Sequence, residues 1–341
     1  MVENMQKKLE IKRNHHYVQA DYLRRWSSDK KNIWHTTKTG KICSDSILDV
    51  AKQEFFYKAG QLQPFHLEII RKFSSQASAN LQEQHLDFLD MFMNIQHKEK
   101  LLLTGGGNTS ETDRIIHVLR CNLLEDRHAI HERDARPIMT ALADGDYSIL
   151  AKDKNLVVFL AYFGHQITRT KSFRESVLVA GSGLAKLDGN ADKLMTSIIE
   201  CWWFISYMFG LNIGWSLYST RSEDMHCLLV NETSVDFITS DQPIINVHPD
   251  IVENAFSPLA DNVCDFIYPI SPRAAFMVNK SGSFPNGITR VSEGFVEDMN
   301  QRLAKASEIN IFGVTKEAVQ RYKCFVGDRK KAASKHYDPP R

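Results

Sequence analysis

The chain has 341 residues, 43% of them hydrophobic and 24% charged, a composition that sustains a substantial globular core. Its 42 Lys and Arg balance 41 Asp and Glu, so bulk charge gives no argument for nucleic acid or a membrane surface, although a local basic groove is compatible with it. Six cysteines (Cys43, Cys121, Cys201, Cys227, Cys264 and Cys324) show neither Cys-x-x-Cys nor zinc-finger spacing, which suits reduced, buried thiols and a cytoplasmic location.

Residues 1–13 are charged and aperiodic, a leader without the apolar core of a secretory signal. Asn14-His15-His16-Tyr17-Val18-Gln19 then runs into a helical stretch, 20–26, with Tyr22, Leu23 and Trp26 available to a core. Residues 32–37 and 41–44 form two strands joined by Lys38-Thr39-Gly40, a hairpin with glycine where positive φ is needed. Residues 53–57 are an aromatic-rich strand or helix start. From about Phe65 to Tyr218 the pattern is helical, with Leu81, His85, Phe88, Leu89, Phe92 and Met93 on one face. Gly105-Gly106-Gly107 interrupts it, and Ser110 with Asp113 resembles a cap for the next helix. Pro137 marks the beginning of a further apolar segment, and residues 156–170 and 194–211 complete the block.

The period then changes. Residues 215–219, 227–231, 236–240 and 275–279 are β-like runs rich in branched and aromatic residues. A helix over 292–307 and a strand over 309–312 follow, and 328–341 is a loose basic tail. The most apolar run, 201–211, is shorter than the roughly 20 residues a spanning helix needs, so a soluble chain with no membrane partner is expected. The expected fold is α+β: a mainly helical middle block with an N-terminal β-hairpin segment and a C-terminal mixed or antiparallel sheet. One domain covers 14–327, divided into a hairpin segment (14–60), the helical block (61–214) and the sheet with its last helix (215–327).

Several polar residues could carry chemistry. His15 and His16 are neighbours, so in an extended chain at most one faces a given pocket; imidazole suits metal ligation and proton transfer near neutral pH, or simply closes a turn. Asp241, after the apolar run 235–239 and before Gln242-Pro243, stands where a strand end presents a carboxylate, or else forms an Asx turn. Gln166 and Arg169 share a helix face, and the guanidinium could clamp a phosphate or carboxylate or bridge structure. Glu54 is an acid beside aromatic sequence, a third possible metal ligand with His16 and Asp241, or a surface group. The triple glycine lacks the Gly-Lys-Ser/Thr of a phosphate loop, and no Gly-x-Ser-x-Gly elbow, His-Glu-x-x-His or dinucleotide fingerprint is present. Cys201 lies in apolar sequence, which disfavours a thiol nucleophile.

His-His-Tyr-Val-Gln-Ala-Asp-Tyr-Leu-Arg-Arg-Trp (15–26) resembles the opening of the uncharacterised domain-of-unknown-function family 4238. Later segments agree in order: the hairpin around Thr39-Gly40-Lys41, residues 50–57, Gln166 with Arg169-Thr170, Thr239-Ser240-Asp241-Gln242-Pro243, Tyr268 to Pro272, and Asn300 in the last helix. Gln19 stands where the family has proline after Tyr-Val, which predicts a less rigid turn there. The resemblance implies a fold and marked positions, among them Ser240 and Asn300 as substrate contacts, but no established reaction.

Three functions follow as expectations. One is a metal-assisted phosphodiesterase, a nuclease-like effector, with His15, His16 and Asp241 catalytic and a divalent metal ion on His16, Asp241 and Glu54. Gln166, Arg169, Ser240 and Asn300 would then position a nucleic acid. Another is a non-enzymatic module for a protein or nucleic-acid partner, the same residues serving to hold the terminal segments on the helical block. The last is a metal-independent hydrolase or transferase on a small nucleotide, with His15 or His16 as general base. A homo-oligomer is compatible with each. The cost of burying two histidines, an aspartate and an arginine for structure alone favours the first.

Overall fold

The N-terminal motif is extended at Asn14–His16 (β1), turns into a short helix at Ala20–Leu23 (α1) and leads to the hairpin strands Asn32–Thr36 (β2) and Ile42–Ser46 (β3), with Gly40 at φ +75°. Lys52–Glu54 (β4) returns antiparallel to β1, pairing His16 with Lys52 and Asn14 with Glu54. This computed structural model describes residues 10–105, 110–185, 191–251, 263–329 and 331. Gly106, Gly107, most of the leader and nearly all of the expected loose tail lie outside the described residues. Gln19 has φ −59°, close to the value a proline ring would impose, so the turn keeps proline geometry without the proline. A second anchor is the Gln19 side chain, whose Oε1 accepts from the Tyr162 hydroxyl at 3.0 Å. The expected loosening is therefore absent from the geometry.

Among the described residues, seven helices form the middle block: Pro64–Ser74 (α2), Ala79–Thr104 (α3), Ser110–Ala143 (α4), Asp153–Thr168 (α5), Lys171–Ala185 (α6), Ala191–Glu200 (α7) and Trp202–Ser219 (α8). Pro137 does not begin a new segment; α4 runs through it. The 194–211 stretch breaks at Cys201, where two helical pieces meet at 77°. No single helix among the described residues is long and apolar enough to cross a membrane. Helix α8 is apolar on all sides and buried along most of its length, as a central core helix should be. It lies backbone to backbone on α5, because a Cβ at Gly164 would stand 2.3 Å from the Gly210 carbonyl oxygen. Residues 215–219 are the last turns of α8 rather than a strand. Trp215 and Tyr218, three apart, pack along the helix with ring centres 5.7 Å apart and planes tilted by 44°, and packing overrides their β preference.

The C-terminal part adds Met225–Val230 (β5), Thr239–Ser240 (β6), Ile245–Asn246 (β7), Asp265–Ser271 (β8), Ala274–Asn279 (β9), Gly287–Arg290 (β10), helix Glu293–Ala306 (α9), Ile311–Gly313 (β11) and helix Lys316–Tyr322 (α10). Five strands form a mixed sheet in the order β10-β5-β9-β8-β7, parallel only at β10–β5. A four-stranded sheet, β3-β2-β11-β6, is assembled from both ends of the chain. The expected strand at 236–240 shrinks to Thr239–Ser240, while β7, β8, β10 and α10 are elements the sequence reading does not contain. The architecture is α+β. One apolar core joins Tyr17, Val18, Tyr22 and Trp26 to α4, α5 and the five-stranded sheet.

Candidate functional site

The N-terminal motif is sandwiched between the helices and the C-terminal strands, and its polar atoms mostly bond the protein's own backbone and hydroxyl groups. The His15 ring is fully buried. It donates from Nε2 to the Lys12 carbonyl (2.9 Å), accepts at Nδ1 from the Tyr57 amide (2.8 Å) and stacks on Tyr57. Both nitrogens are used in one neutral tautomer. Burial, together with the charges of Lys12 and Arg169, lowers its pKa, so His15 serves as a structural imidazole. His16 points elsewhere, half-buried, with Nε2 unpartnered; burial and then Arg169 lower its pKa too. Tyr22 donates to the Pro269 carbonyl (2.7 Å) and bonds the Thr239 hydroxyl (2.6 Å), and Trp26 donates to the Phe237 carbonyl (2.8 Å).

Arg169 is 1% exposed at the end of α5. Its guanidinium pairs with Glu132 of α4, donates to the His16 carbonyl and reaches the Tyr57 hydroxyl, which in turn donates to the Arg169 carbonyl (2.6 Å). Burial opposes the charge, but Glu132, Tyr57 and Glu125 hold the guanidinium protonated. The Glu125 carboxyl lies against the His16 amide, and burial pushes its pKa up to about 7. The free edge of β1 is thus gripped by a buried arginine flanked by two partly buried glutamates. With its fork committed to protein groups, Arg169 is not disposed to clamp a phosphate.

Asp241 is equally committed. Its carboxylate accepts from the amides of Glu308, Ile309 and Asn310 at 2.9, 2.8 and 2.8 Å, and its own amide donates to the Asn310 carbonyl. Burial raises its pKa to about 6 against the pull of those three amides. Ser240 closes a turn, donating to the Gln242 carbonyl (2.7 Å) and accepting from the Gln242 amide (3.1 Å). Gln242 accepts from Thr170 at the end of α5 and donates to the Ile244 carbonyl. Asn300 of α9 pins the neighbouring run by accepting from the Ile238 amide (2.9 Å) and donating to the Asp236 carbonyl (2.8 Å). Gln166 is buried with Oε1 unpartnered.

The two distant motifs do meet, but through Tyr17, Tyr22 and Trp26 rather than through the imidazoles. Burial, then Asp241 and Glu308, raises the Tyr17 hydroxyl well above the usual range, and the Lys171 ammonium lies over its ring at 4.6 Å. Glu54 is exposed on β4. Among the described residues no three His, Cys, Asp or Glu side chains converge as a metal-holding set. His16 faces Arg169, Asp241 faces backbone amides and Glu54 faces solvent, so these three do not fit a resident divalent ion.

Two features escaped the sequence. One is a histidine set inside the helical block: His128, His131 and His165, with Tyr57 and Tyr207 around them. Its signal was present as Glu125, His128 and Glu132, recurring at helical spacing on α4. The other is an open polar cleft of about 360 Å³ between the β2–β3 hairpin, the loop before β4 and Asn310, lined by Tyr17, His35, Lys38, Asp45, Lys52 and Asn310. There His35 Nε2 lies 2.9 Å from Asp45 and Lys52 pairs with Asp49 at 2.7 Å.

Residues 210–317 match the model of the family described as Protein of unknown function (DUF4238), and this bears out the family resemblance. The matched span holds the Asp241 turn and Asn300, while the His15–Trp26 motif lies outside it. No curated protein and no solved structure matches the chain.

Proposed function

We propose that the protein is a non-enzymatic recognition module which takes a nucleotide-bearing partner, nucleic acid or free nucleotide, at the cleft beside Tyr17. The observation that carries this reading is the commitment of Asp241 to backbone amides. A carboxylate accepting from three successive amides has about three of its four lone-pair sites filled by its own chain and is turned toward backbone rather than toward a metal or an attacking water, and the segment it ties contributes Asn310 to the cleft. His15, Arg169, Ser240 and Asn300 are likewise spent on the protein's own groups. The cleft has small-ligand dimensions, and Lys38, exposed at its rim, has no ion-pair partner among the described residues.

Fluorescence anisotropy with a labelled single-stranded oligonucleotide, and thermal shift with a nucleoside monophosphate, test the reading. Binding that weakens several-fold in Lys38→Glu at unchanged Tm supports it. Failure of both probes to bind, or cleavage of the oligonucleotide that is lost in His16→Ala or Asp241→Asn while both remain folded, overturns it in favour of an enzyme.

A further inference from the structure

The histidine set is a concentration of unmet bonding capacity. His165 is 1% exposed and neither ring nitrogen has a partner; Nε2 of His128, 3% exposed, is also bare. Nearby Gln166 Oε1, Thr168 Oγ1 and Glu125 Oε2 are bare as well. The His165 ring packs against Tyr207, stacked at 4.8 Å, and His131 at 4.3 Å, with His128 at 5.5 Å. It also rests on the α8 backbone, since a Cβ on Gly210 would stand 2.3 Å from its Nδ1. Only His131 reaches a hydroxyl, that of Tyr207, at 3.4 Å. Such rings are tolerated while neutral and become costly once charged.

The charged groups around them offer no relief. On α4, Glu132 is engaged by Arg169, Glu125 itself prefers its proton, and Asp134 favours charge on His131 alone while Arg127 opposes it. From α5 comes the fixed cation Arg169, which acts on all three rings; α8 contributes neutral Tyr207, and the N-terminal segment contributes Tyr57 and His15. Arg169 is also the group that holds the β1 edge through the His16 carbonyl.

We infer that His128, His131 and His165 form an acid-operated latch: protonating them beside Arg169 opens the α4–α5 seam and releases β1. This does not depend on what the cleft binds. Burial lowers the pKa of all three rings, that of His131 to about 4. The closed form therefore stays unprotonated as pH falls below about 6.5, while the opened form takes up protons, and the closed state loses stability. Glu125, raised to about 7, works the other way and offsets part of the effect, because the closed form holds its proton more tightly.

Hydrogen exchange of the Tyr17 and Phe55 amides, which bond the Ala51 and Arg13 carbonyls, reads the opening of this segment. After correction for intrinsic exchange, lowering pH from about 7.5 to 5.5 should raise their opening constant roughly tenfold per released histidine, less about one order of magnitude for Glu125. Amides of β8 and β9 should change less. His165→Gln should remove about tenfold of the rise. His131→Gln, at a less buried ring that keeps a partner for Tyr207, should do the same and guards against a His165 variant that fails to fold. An opening constant that does not rise, or that rises equally in the wild type and in whichever variants fold, overturns the latch.

Discussion

The Asp241 turn and the histidine set are both polar groups buried in one chain, and they solve burial in opposite ways. Around Asp241 each carboxylate oxygen is met by at least one amide, and the group anchors a strand entry. Around His165 the ring nitrogens meet aromatic faces and a glycine backbone instead. The first region holds because it is bonded; the second holds only while it is uncharged. Their titrations also run in opposite directions. Asp241, with its pKa raised, contributes most at low pH and loses part of that as pH rises through about 6. The histidines contribute fully above about 6.5 and lose it as pH falls.

Arg169→Met is expected to have the largest effect, because it strands Glu132 and the His16 carbonyl in the interior. A loss of about 3–5 kcal/mol in urea unfolding is expected for removing one partner of a buried pair. A loss under about 1 kcal/mol would show the grip on β1 to be dispensable. Asp241→Asn comes next. Its amide group turns donors toward donors, at a cost of about 2 kcal/mol and a Tm lower by several degrees, checked by calorimetry. Running the same melts from pH 8 to pH 5 sharpens the contrast between the two regions. The wild type should lose stability on acidification as the buried histidines outweigh Asp241 and Glu125, and the gap to Asp241→Asn should widen. Lys52→Ala removes a pair whose aspartate is mostly in solvent, and should change stability by no more than about 0.5 kcal/mol.

How far these regions were legible beforehand differs for a physical reason. Local patterning was enough for the hairpin at Gly40, the helical face from Leu81 to Met93, the last helix over 292–307 and the short strand near Ile311, because each rests on spacing or a single conformational demand. It failed where neighbours decide. Residues 215–219 carry β-like residues yet finish a helix, and Pro137 sits inside one. The expected convergence of His16, Glu54 and Asp241 required side-chain directions that adjacent residues on a strand do not disclose.

Composition and periodicity by themselves determined an α+β chain with a helical middle and a β-rich end, and marked out two polar motifs far apart in sequence. These properties follow from burial patterns summed over many residues, so no single contact can reverse them. Only the tertiary structure decided what those motifs do: which imidazole is bonded and which is bare, that Arg169 grips backbone, and that three histidines share an apolar interior. Hydrogen bonds and ionisation depend on the few atoms within bonding distance, and those atoms come from segments that sequence order keeps far apart.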